Sequence, residues 1–411
     1  MLTPDEFHLD RRIAQEAGSL ATMGWSVDIY PAVDPALDYD ASFAAGVRML
    51  PAGAPARSRG LLRRALRGVR QRVAPIAPPI DRLVEATRYR LRDLADEIMQ
   101  ANLARTTSLG PYDLVVAHDV PVFPLAATLK RRWGARMVCD LHEIFPEQDE
   151  HFTTSTARRY WRSVERGGLE AADGIICVNA AIETYVHDRY APTAPTVVVH
   201  NSMPFVDRAD LSGRTIRDFY EISNEDRIML FAGSLRPYAN LEALIGGFGR
   251  AGIAGWSLAI LGDGPLRAVL TALVERLGLQ RRVFLGQRAP QSELLQVAAS
   301  ADLGLLPYQA VGINHEIATP NKLFEYIQAR LPMATSRLPM IQRIVEGCAI
   351  GGFVDFSSEA STASGLKGFI DGELGTVSRD ALDAAAVRYS WEREEPALLS
   401  VVDSAMTPEP R

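Results

Sequence analysis

The chain has 411 residues, of which 47% are hydrophobic and 23% charged, and its net charge is −6 at neutral pH. A length above roughly 300 residues favours two domains, each with enough apolar material for its own core. The acidic balance argues against a general nucleic-acid binder, because such proteins are normally basic. No apolar run reaches the roughly 18 residues of a membrane span, and the first ten residues lack the pattern of a signal peptide.

The cysteines indicate a reducing compartment. The chain has three cysteines, too few to pair completely, and they form no CxxC motif. Cys139 and Cys177 stand in apolar, strand-like runs, which predicts buried, reduced thiols. We therefore expect a cytoplasmic protein without structural disulfides.

In the first half of the chain, short β-rich runs alternate with amphipathic stretches. The apolar residues of Arg11–Met23 have helical spacing, and no clear strand precedes them. The first domain therefore either begins late or uses Met1–Pro4 as a vestigial strand. Further strands are predicted at 26–30, 113–117, 136–141, 174–178 and 196–199, with helices near 121–132, 156–170 and 179–189.

The second half repeats this alternation. Strands are predicted at 227–231, 257–261, 283–285, 303–306 and 332–335, with helices near 240–250, 265–277, 290–299 and 320–329. Strand–helix alternation predicts parallel sheets covered by helices, so two such arrays indicate an α/β protein with two Rossmann-like domains. The turn-rich stretch 201–213 marks the boundary. The predicted domains are residues 1–204 and 205–380, followed by a helical segment over 381–411.

The strongest local pattern is the segment from Leu303 to Tyr326. A buried strand and a polar loop lead into a helix for which Thr319 is the expected N-cap and Pro320 the first residue. A helix N-terminus attracts phosphate, and Lys322 adds a full positive charge there. Glu325 is placed to accept hydrogen bonds from ribose hydroxyls. The alternative is an ordinary capped helix with a solvated lysine and glutamate.

Two further turns follow predicted strands in the second half. The sequence FAGSLRPYAN contains Gly233, Ser234 and Arg236, and LGDGP contains Gly262 and Asp263. A glycine allows the backbone to approach a ligand closely, and Arg236 is a candidate phosphate ligand. Either turn alone is usually only a turn, because neither completes a GxGxxG motif.

The first half supplies two strand ends with histidine. LVVAHD ends in His118 and Asp119, and VCDLHE contains His142 and Glu143. Histidine carries protons near neutral pH, and a neighbouring carboxylate orients it. Histidine and acidic residues also bind metals. Because no HExxH motif or close ligand triplet is evident, we predict no metal, and we interpret the acidic triplet 38–40 as chance.

A basic stretch interrupts the first half. Arg57–Arg72 contains seven arginines, and its apolar residues fall on one helical face. Such a helix either lies on an anionic membrane surface or packs on its domain as a solvated helix.

The ordered series of these motifs resembles the family 4 glycosyltransferases, which are retaining enzymes of the GT-B fold. The resemblance extends from Asp10–Tyr30 through LVVAHD, VCDLHE, ADGIICVN, VVVHNSMP, FAGSL, ILGDGP, VFLG and PNKLFEY to YSWE. It implies two facing Rossmann-like domains, the first binding the acceptor and the second the donor. It also implies a C-terminal helix that crosses back to the first domain, and no metal requirement.

The resemblance also implies roles for individual residues. Glu325 would hold the donor ribose, Lys322 the diphosphate, and the backbone around 284–288 the base, while His118 would lie at the reacting centre. The predicted donor site comprises Gly233, Ser234, Arg236, Gly262, Asp263, Arg288, His315, Glu316, Asn321, Lys322, Leu323 and Glu325. The predicted catalytic residues are His118, His142 and Glu143.

The chain departs from the family pattern at three positions. The family often has a second acid eight residues before Glu325, where this chain has Ile317, although Glu316 is adjacent. Two cations that often bind phosphate are replaced by Ser234 and Ala239.

The sequence therefore predicts a retaining glycosyltransferase. It would move a hexosyl or related sugar from a UDP- or GDP-linked donor to a glycan or lipid-linked acceptor. Surface polysaccharide or glycoconjugate synthesis at the inner face of the cytoplasmic membrane is the expected setting, with no cofactor. The alternatives are a non-catalytic or weakly active sugar-nucleotide-binding subunit and a nucleotide-sugar epimerase on the same fold.

Overall fold

The computed structural model describes residues 1–3, 10–31, 44–50, 111–148, 155–220, 222–290 and 292–407. The basic stretch 57–72 and the acidic triplet 38–40 lie outside these residues. The chain divides into two compact units. Unit 1 comprises Met1–Cys177, Glu183–Val197 and Ala397–Arg411, and unit 2 comprises Val178–Ile182 and Val198–Pro396.

Unit 1 contains a seven-stranded sheet in the order β3-β2-β1-β4-β5-β6-β7. Its strands are β1 (Leu2–Thr3), β2 (Val27–Pro31), β3 (Val47–Met49), β4 (Leu114–His118), β5 (Arg136–Leu141), β6 (Gly174–Cys177) and β7 (Thr196–Val198). The two-residue β1 lies inside the sheet and pairs in parallel with both β2 and β4. Of the two alternatives for the start of the first domain, the vestigial strand is therefore correct.

The helices of unit 1 follow the predicted alternation. They are α1 (Arg11–Thr22), α2 (Phe123–Trp133), α3 (Ser155–Ala171) and α4 (Ala180–Tyr190), whose first turn belongs to unit 2. The Asp10 carboxylate caps α1 by accepting from the Arg12 N–H at 3.0 Å. Helix α2 carries a proline in its first turn and ends at Gly134, whose φ of 69° suits glycine.

Unit 2 contains a six-stranded parallel sheet in the order β10-β9-β8-β11-β12-β13. Its strands are β8 (Arg227–Ala232), β9 (Trp256–Leu261), β10 (Val283–Gly286), β11 (Leu303–Leu306), β12 (Met333–Thr335) and β13 (Gly351–Phe353). Its helices are α5 (Leu241–Ala251), α6 (Arg267–Arg276), α7 (Leu294–Ala299), α8 (Ile313–Glu316), α9 (Asn321–Gln328), α10 (Pro339–Cys348), α11 (Glu359–Gly368) and α12 (Arg379–Arg388). The final helix, α13 (Trp391–Met406), begins in unit 2 and ends in unit 1.

The core of unit 2 has two layers, one on each face of the sheet. Successive residues of β8 alternate between them, because side chains along a strand point to opposite faces. Ile228 and Leu230 belong to the cluster that includes the apolar face of α9. Met229 and Phe231 belong to the cluster that includes α5. A strand buried on both faces explains why the sequence of β8 is almost continuously apolar.

Every strand predicted in the two halves is present to within two residues at each end. β3, β13 and the helices α8, α10 and α11 were not predicted, whereas α12 and α13 correspond to the helical segment predicted over 381–411, with α12 beginning two residues earlier. Cys139 and Cys177 are buried free thiols, as predicted, and Cys348 is half-buried and free. None of the helices in the described ranges combines the length and hydropathy needed to cross a bilayer.

Candidate active site

The strand order of unit 2 reverses between β8 and β11. Ligands of open parallel sheets bind beyond the carboxyl ends of the strands at such a point, because the connections leave in opposite directions there. The segments that follow β8 and β11, including the helices α8 and α9, contain nine of the twelve predicted donor residues. The structure therefore brings the FAGSLRPYAN and PNKLFEY segments to one edge of one sheet, as predicted.

Gly262 allows the backbones at this edge to pack closely. The Gly233 N–H donates to the carbonyl of Leu261 at 2.9 Å. A Cβ atom on Gly262 would overlap the carbonyl oxygen of Gly233, so position 262 accepts only glycine. Gly233 is only half-buried and meets side chains rather than backbone. Close packing of the strand ends, rather than room for a ligand, explains Gly262.

The loops after β8 and β11 are joined to each other. The Gln309 N–H donates to the carbonyl of Tyr238 at 2.9 Å, and its side-chain amide donates to Pro237 at 3.1 Å. The rings of Tyr238 and His315 lie 4.8 Å apart. These contacts fix His315, a predicted donor residue, against the loop that carries Arg236.

Helix α9 carries the central pair of the site. Lys322 Nζ donates to Glu325 Oε2 at 2.5 Å, and both side chains are about nine-tenths buried or more. The predicted cap is displaced by one residue: Pro320 is the N-cap, without a side-chain hydrogen bond, and the helix begins at Asn321. Thr319 is not the cap because its hydroxyl accepts from Asn179 Nδ2 at 3.3 Å. Lys322 and Glu325 are not solvated, so the ordinary capped helix does not describe them.

The remaining predicted donor residues differ in exposure. Five are exposed at the loops and helix ends of unit 2: Ser234, Arg236, Asp263, Arg288 and Glu316. Asn321 accepts from Asn201 Nδ2 at 2.7 Å. Leu323 was predicted as a donor residue, but its side chain lies in the core and its N–H donates to Pro320. Its role is to pack the helix.

The departures from the family pattern have a structural context. Ala239 is fully buried beside Phe231 and Leu241, so a cation at position 239 would enter the core. Ile317 follows α8, and its carbonyl accepts from Asn179 Nδ2 at 2.9 Å. The adjacent Glu316 is exposed.

In unit 1, a buried cluster of hydrogen-bonded side chains lies at the carboxyl ends of β4 and β5. His118 and Asp140 are register partners, and His118 Nδ1 lies 3.0 Å from Asp140 Oδ2. His142 Nε2 lies 2.8 Å from the same oxygen. Arg12 donates to both oxygens of Asp140, at 3.1 Å through Nε and at 2.8 Å through Nη2. One carboxylate thus orients two histidines and is itself held by a guanidinium.

Only part of this cluster reaches the surface. The His118 side chain is fully buried, and its Nε2 has no hydrogen-bond partner among the described residues. His142 is slightly exposed, and its Nδ1 lies 3.6 Å from Asp10 and 3.9 Å from Asp119. Glu143 is half-buried and accepts from Gln148. Of the two histidines, His142 is therefore the one with a surface that a substrate can touch.

The sequence analysis missed Arg12 and Glu16, which support this cluster from α1. Both side chains are buried, and Arg12 Nε donates to Glu16 Oε1 at 2.8 Å. They flank Ile13 and Ala17 on the buried face of the helix. The sequence did contain a signal for them: two charged residues stand four positions apart on a helix face that was predicted to be apolar.

Burial and charge give the two histidines opposite protonation states. Burial lowers the pKa of His118 to about 4, although the Asp140 carboxylate opposes this shift. Burial alone would also lower the pKa of His142, but Asp140 and Asp119 raise it well above its ordinary value. At neutral pH the cluster therefore contains a neutral His118 and an imidazolium at His142.

The pKa values of the acidic residues of the cluster are also shifted in opposite directions. Burial raises the pKa of Glu16 to about 8 and that of Asp119 to about 7. Burial would raise the pKa of Asp140 too, but Arg12 and His142 hold that pKa well below its usual range. Asp140 is the permanent anion of the cluster, and Arg12 and His142 are its cations.

His118, Asp140 and His142 form a triplet with the geometry of a metal site, since their facing atoms lie 2.8–3.4 Å apart. The expectation that no close ligand triplet exists is therefore wrong. Arg12 also bonds both oxygens of Asp140, so the three side chains belong to one hydrogen-bonded cluster with a guanidinium.

Comparison with known protein families shows the family to which the chain belongs. The family described as "Glycosyl transferase 4-like domain" matches residues 9–202, and "Glycosyl transferases group 1" matches residues 213–386. The chain belongs to the GT4-type glycosyltransferases. It is therefore an enzyme that uses a nucleotide sugar, and its two parallel-sheet domains are those of the GT-B fold.

Solved structures share the fold of this glycosyltransferase at low identity. Sucrose-phosphate synthase from Thermosynechococcus elongatus is 16% identical, with a TM-score of 0.66 over 95% of this chain and 92% of its own. HepE of Anabaena, in complex with UDP and glucose, is 16% identical, with a TM-score of 0.67 over 98% and 99%. The trehalose-6-phosphate synthase OtsA is 11% identical, with a TM-score of 0.68 over 100% and 99%. A search of curated proteins found no match.

We predict that the two histidines of the cluster do not titrate near their ordinary pKa of about 6.5. Nitrogen NMR of the imidazole rings between pH 5.5 and 8 should show His118 neutral, with its proton on Nδ1, and His142 doubly protonated. The neutral His118 costs stability as the pH falls from 6.5 towards 4, because the unfolded chain binds that proton more readily. His142 contributes stability that is lost as the pH rises through its raised pKa.

The variants His118→Asn and His142→Gln assign the two signals. Titration of both rings near pH 6.5 would contradict the cluster described here.

Proposed function

We propose that this glycosyltransferase transfers a hexosyl or related sugar with retention from a UDP- or GDP-linked donor. The acceptor we propose is a glycan or lipid-linked glycan of a bacterial surface polysaccharide or glycoconjugate. The observation that carries the donor assignment is the buried Lys322–Glu325 pair at the switch point of unit 2. Both groups have the chemistry that a nucleoside diphosphate requires.

In this proposal, Glu325 accepts hydrogen bonds from the vicinal hydroxyls of the donor ribose. Lys322 turns from Glu325 towards the diphosphate, whose charge it shares with the N-terminal end of α9. Position 239 cannot supply a cation from the core, so Lys322 and the exposed Arg236 and Arg288 must carry more of that charge. Their stabilisation of the departing diphosphate is the main catalytic contribution of unit 2.

For unit 1 we propose that His142 contacts the reacting groups. The sequence favoured His118, but a side chain with no exposed surface orients its neighbours rather than touching a substrate. An imidazolium at His142 has the charge to stabilise an anionic group of a substrate. Glu143 and Asp119 have the carboxylates to accept hydrogen bonds from acceptor hydroxyls, and the reaction needs neither a protein nucleophile nor a metal.

The nucleotide of the donor and the cellular location of the enzyme are proposed from a similar structure and from the sequence. A structure of HepE holds UDP-glucose, which favours UDP as the nucleotide of this donor. The basic stretch 57–72 has the composition of a helix that binds anionic lipid, so we propose peripheral contact with the inner face of the cytoplasmic membrane. The departures at Ser234 and Ala239 are what favour the second candidate, a sugar-nucleotide-binding subunit without activity.

We expect nucleotide release from at least one donor when the purified protein is incubated with UDP- and GDP-sugars and lipid-linked acceptors. The release should depend on the acceptor and be unchanged by EDTA. Release that is faster with acceptors in anionic than in zwitterionic vesicles would support the membrane contact. Donor binding without release would support the non-catalytic subunit, and an epimerised donor formed without acceptor would support an epimerase.

We expect Glu325→Gln to weaken donor binding, measured by calorimetry, by roughly tenfold to a hundredfold. Loss of a hydrogen bond to a charged group costs roughly 1.5–3 kcal/mol, and each 1.4 kcal/mol is a factor of ten. The control Glu275→Gln makes the same change at an exposed position of α6 and should have no effect. Unchanged affinity in Glu325→Gln would contradict the ribose assignment.

A further inference from the structure

Asn179 stands directly before α4, and its side chain is fully buried. It belongs to unit 2 together with the loop that it contacts. The strand β6 before it is buried, and the helix after it carries no predicted donor residue. A fully buried amide at a strand end needs partners for its oxygen and its nitrogen.

Both the oxygen and the nitrogen of the Asn179 side-chain amide make hydrogen bonds. Its Oδ1 accepts from the N–H groups of Ala181 and Ile182 at 2.9 and 3.0 Å, which caps α4. Its Nδ2 donates to the carbonyl of Ile317 at 2.9 Å and to Thr319 Oγ1 at 3.3 Å. The cap requires only the oxygen, and serine, threonine or aspartate would supply that equally well. The two bonds from the nitrogen are what distinguish asparagine here.

The residues that receive these two bonds lie between two parts of the donor site. The loop carries His315 and Glu316 before Ile317, and α9 with its Lys322–Glu325 pair begins after Pro320. Pro320, the N-cap of α9, makes no capping hydrogen bond from its side chain. The start of α9 is therefore fixed from outside, by Asn179 on the loop and by Asn201 on Asn321.

We propose that Asn179 is a positioning residue for nucleotide binding, an inference that rests on the donor site proposed above. It acts through the backbone at Ile317 and the hydroxyl of Thr319, and it touches no substrate. By holding this loop, Asn179 fixes the position and direction of the start of α9. The positions of the Lys322 and Glu325 side chains depend on that start. Without its donated bonds, the partly buried carbonyl of Ile317 lacks this partner and the loop shifts to find another.

The test separates the capping of α4 by Asn179 from the hydrogen bonds that Asn179 donates to the loop. Asn179→Ser keeps an oxygen that caps α4, but its single O–H replaces two N–H donors, so at least one of the donated bonds is lost. We expect it to fold and to bind UDP, measured by calorimetry, about fivefold or more weakly than the wild type, with the KM for donor raised more than kcat is lowered. Thr319→Val, which removes one of the two acceptors while keeping the shape, should weaken UDP binding by a smaller factor.

The matched control is Ser378→Ala, because Ser378 Oγ caps α12 by accepting from the Ala381 N–H at 3.1 Å and contacts no part of the loop. It should lower the melting temperature and leave UDP affinity unchanged. Wild-type affinity in both Asn179→Ser and Thr319→Val would overturn the inference while leaving the proposed function intact. Failure of the wild type to bind UDP or GDP would overturn the proposed function and this inference with it.

Discussion

The parallel direction of the strands is the constraint on which both sites depend. When all strands of a sheet run the same way, their carboxyl ends lie at one edge, and the polar residues that follow them are brought together. In unit 2 this edge collects the loops after β8 and β11, and in unit 1 it collects His118 and Asp140. Residues far apart in the chain become neighbours without any long-range motif.

Buried charge is neutralised locally in each unit. In unit 1, Arg12 and His142 balance Asp140, and burial keeps His118 neutral. In unit 2, Lys322 balances Glu325 until a donor replaces one partner with another. An unpaired buried charge is costly, so each group is held in place by its counterpart before substrate binds. Charged groups that the protein holds in place favour catalysis by electrostatic stabilisation.

Much of the fold was predictable because parallel, buried strands leave continuous apolar runs in the sequence. The helices α10 and α11, which flank β13, were missed where the strand signal weakens, since β13 contains two glycines in three residues. β1 has only two residues, too few to show any period. The order of motifs along the chain was sufficient to recognise the family, because each motif follows a strand end.

The site was predictable in its residue types but less so in its geometry. Lys322 and Glu325 stood out locally, whereas Leu323 between them was assigned to the donor although it faces the core. Arg12 and Glu16 were missed because Asp140, which Arg12 binds, lies 128 residues further along the chain. The bond from Asn179 to Ile317 spans 138 residues, and no local pattern announces it.

The central claim is that the nucleotide binds in unit 2 at the loop and helix that contain Lys322 and Glu325. Hydrogen–deuterium exchange of the full chain with and without UDP tests this most directly. The account predicts slower exchange in peptides covering 313–328 and 233–240 when UDP is added. Unchanged exchange in those peptides, with protection confined to 114–119 and 140–143, would contradict it.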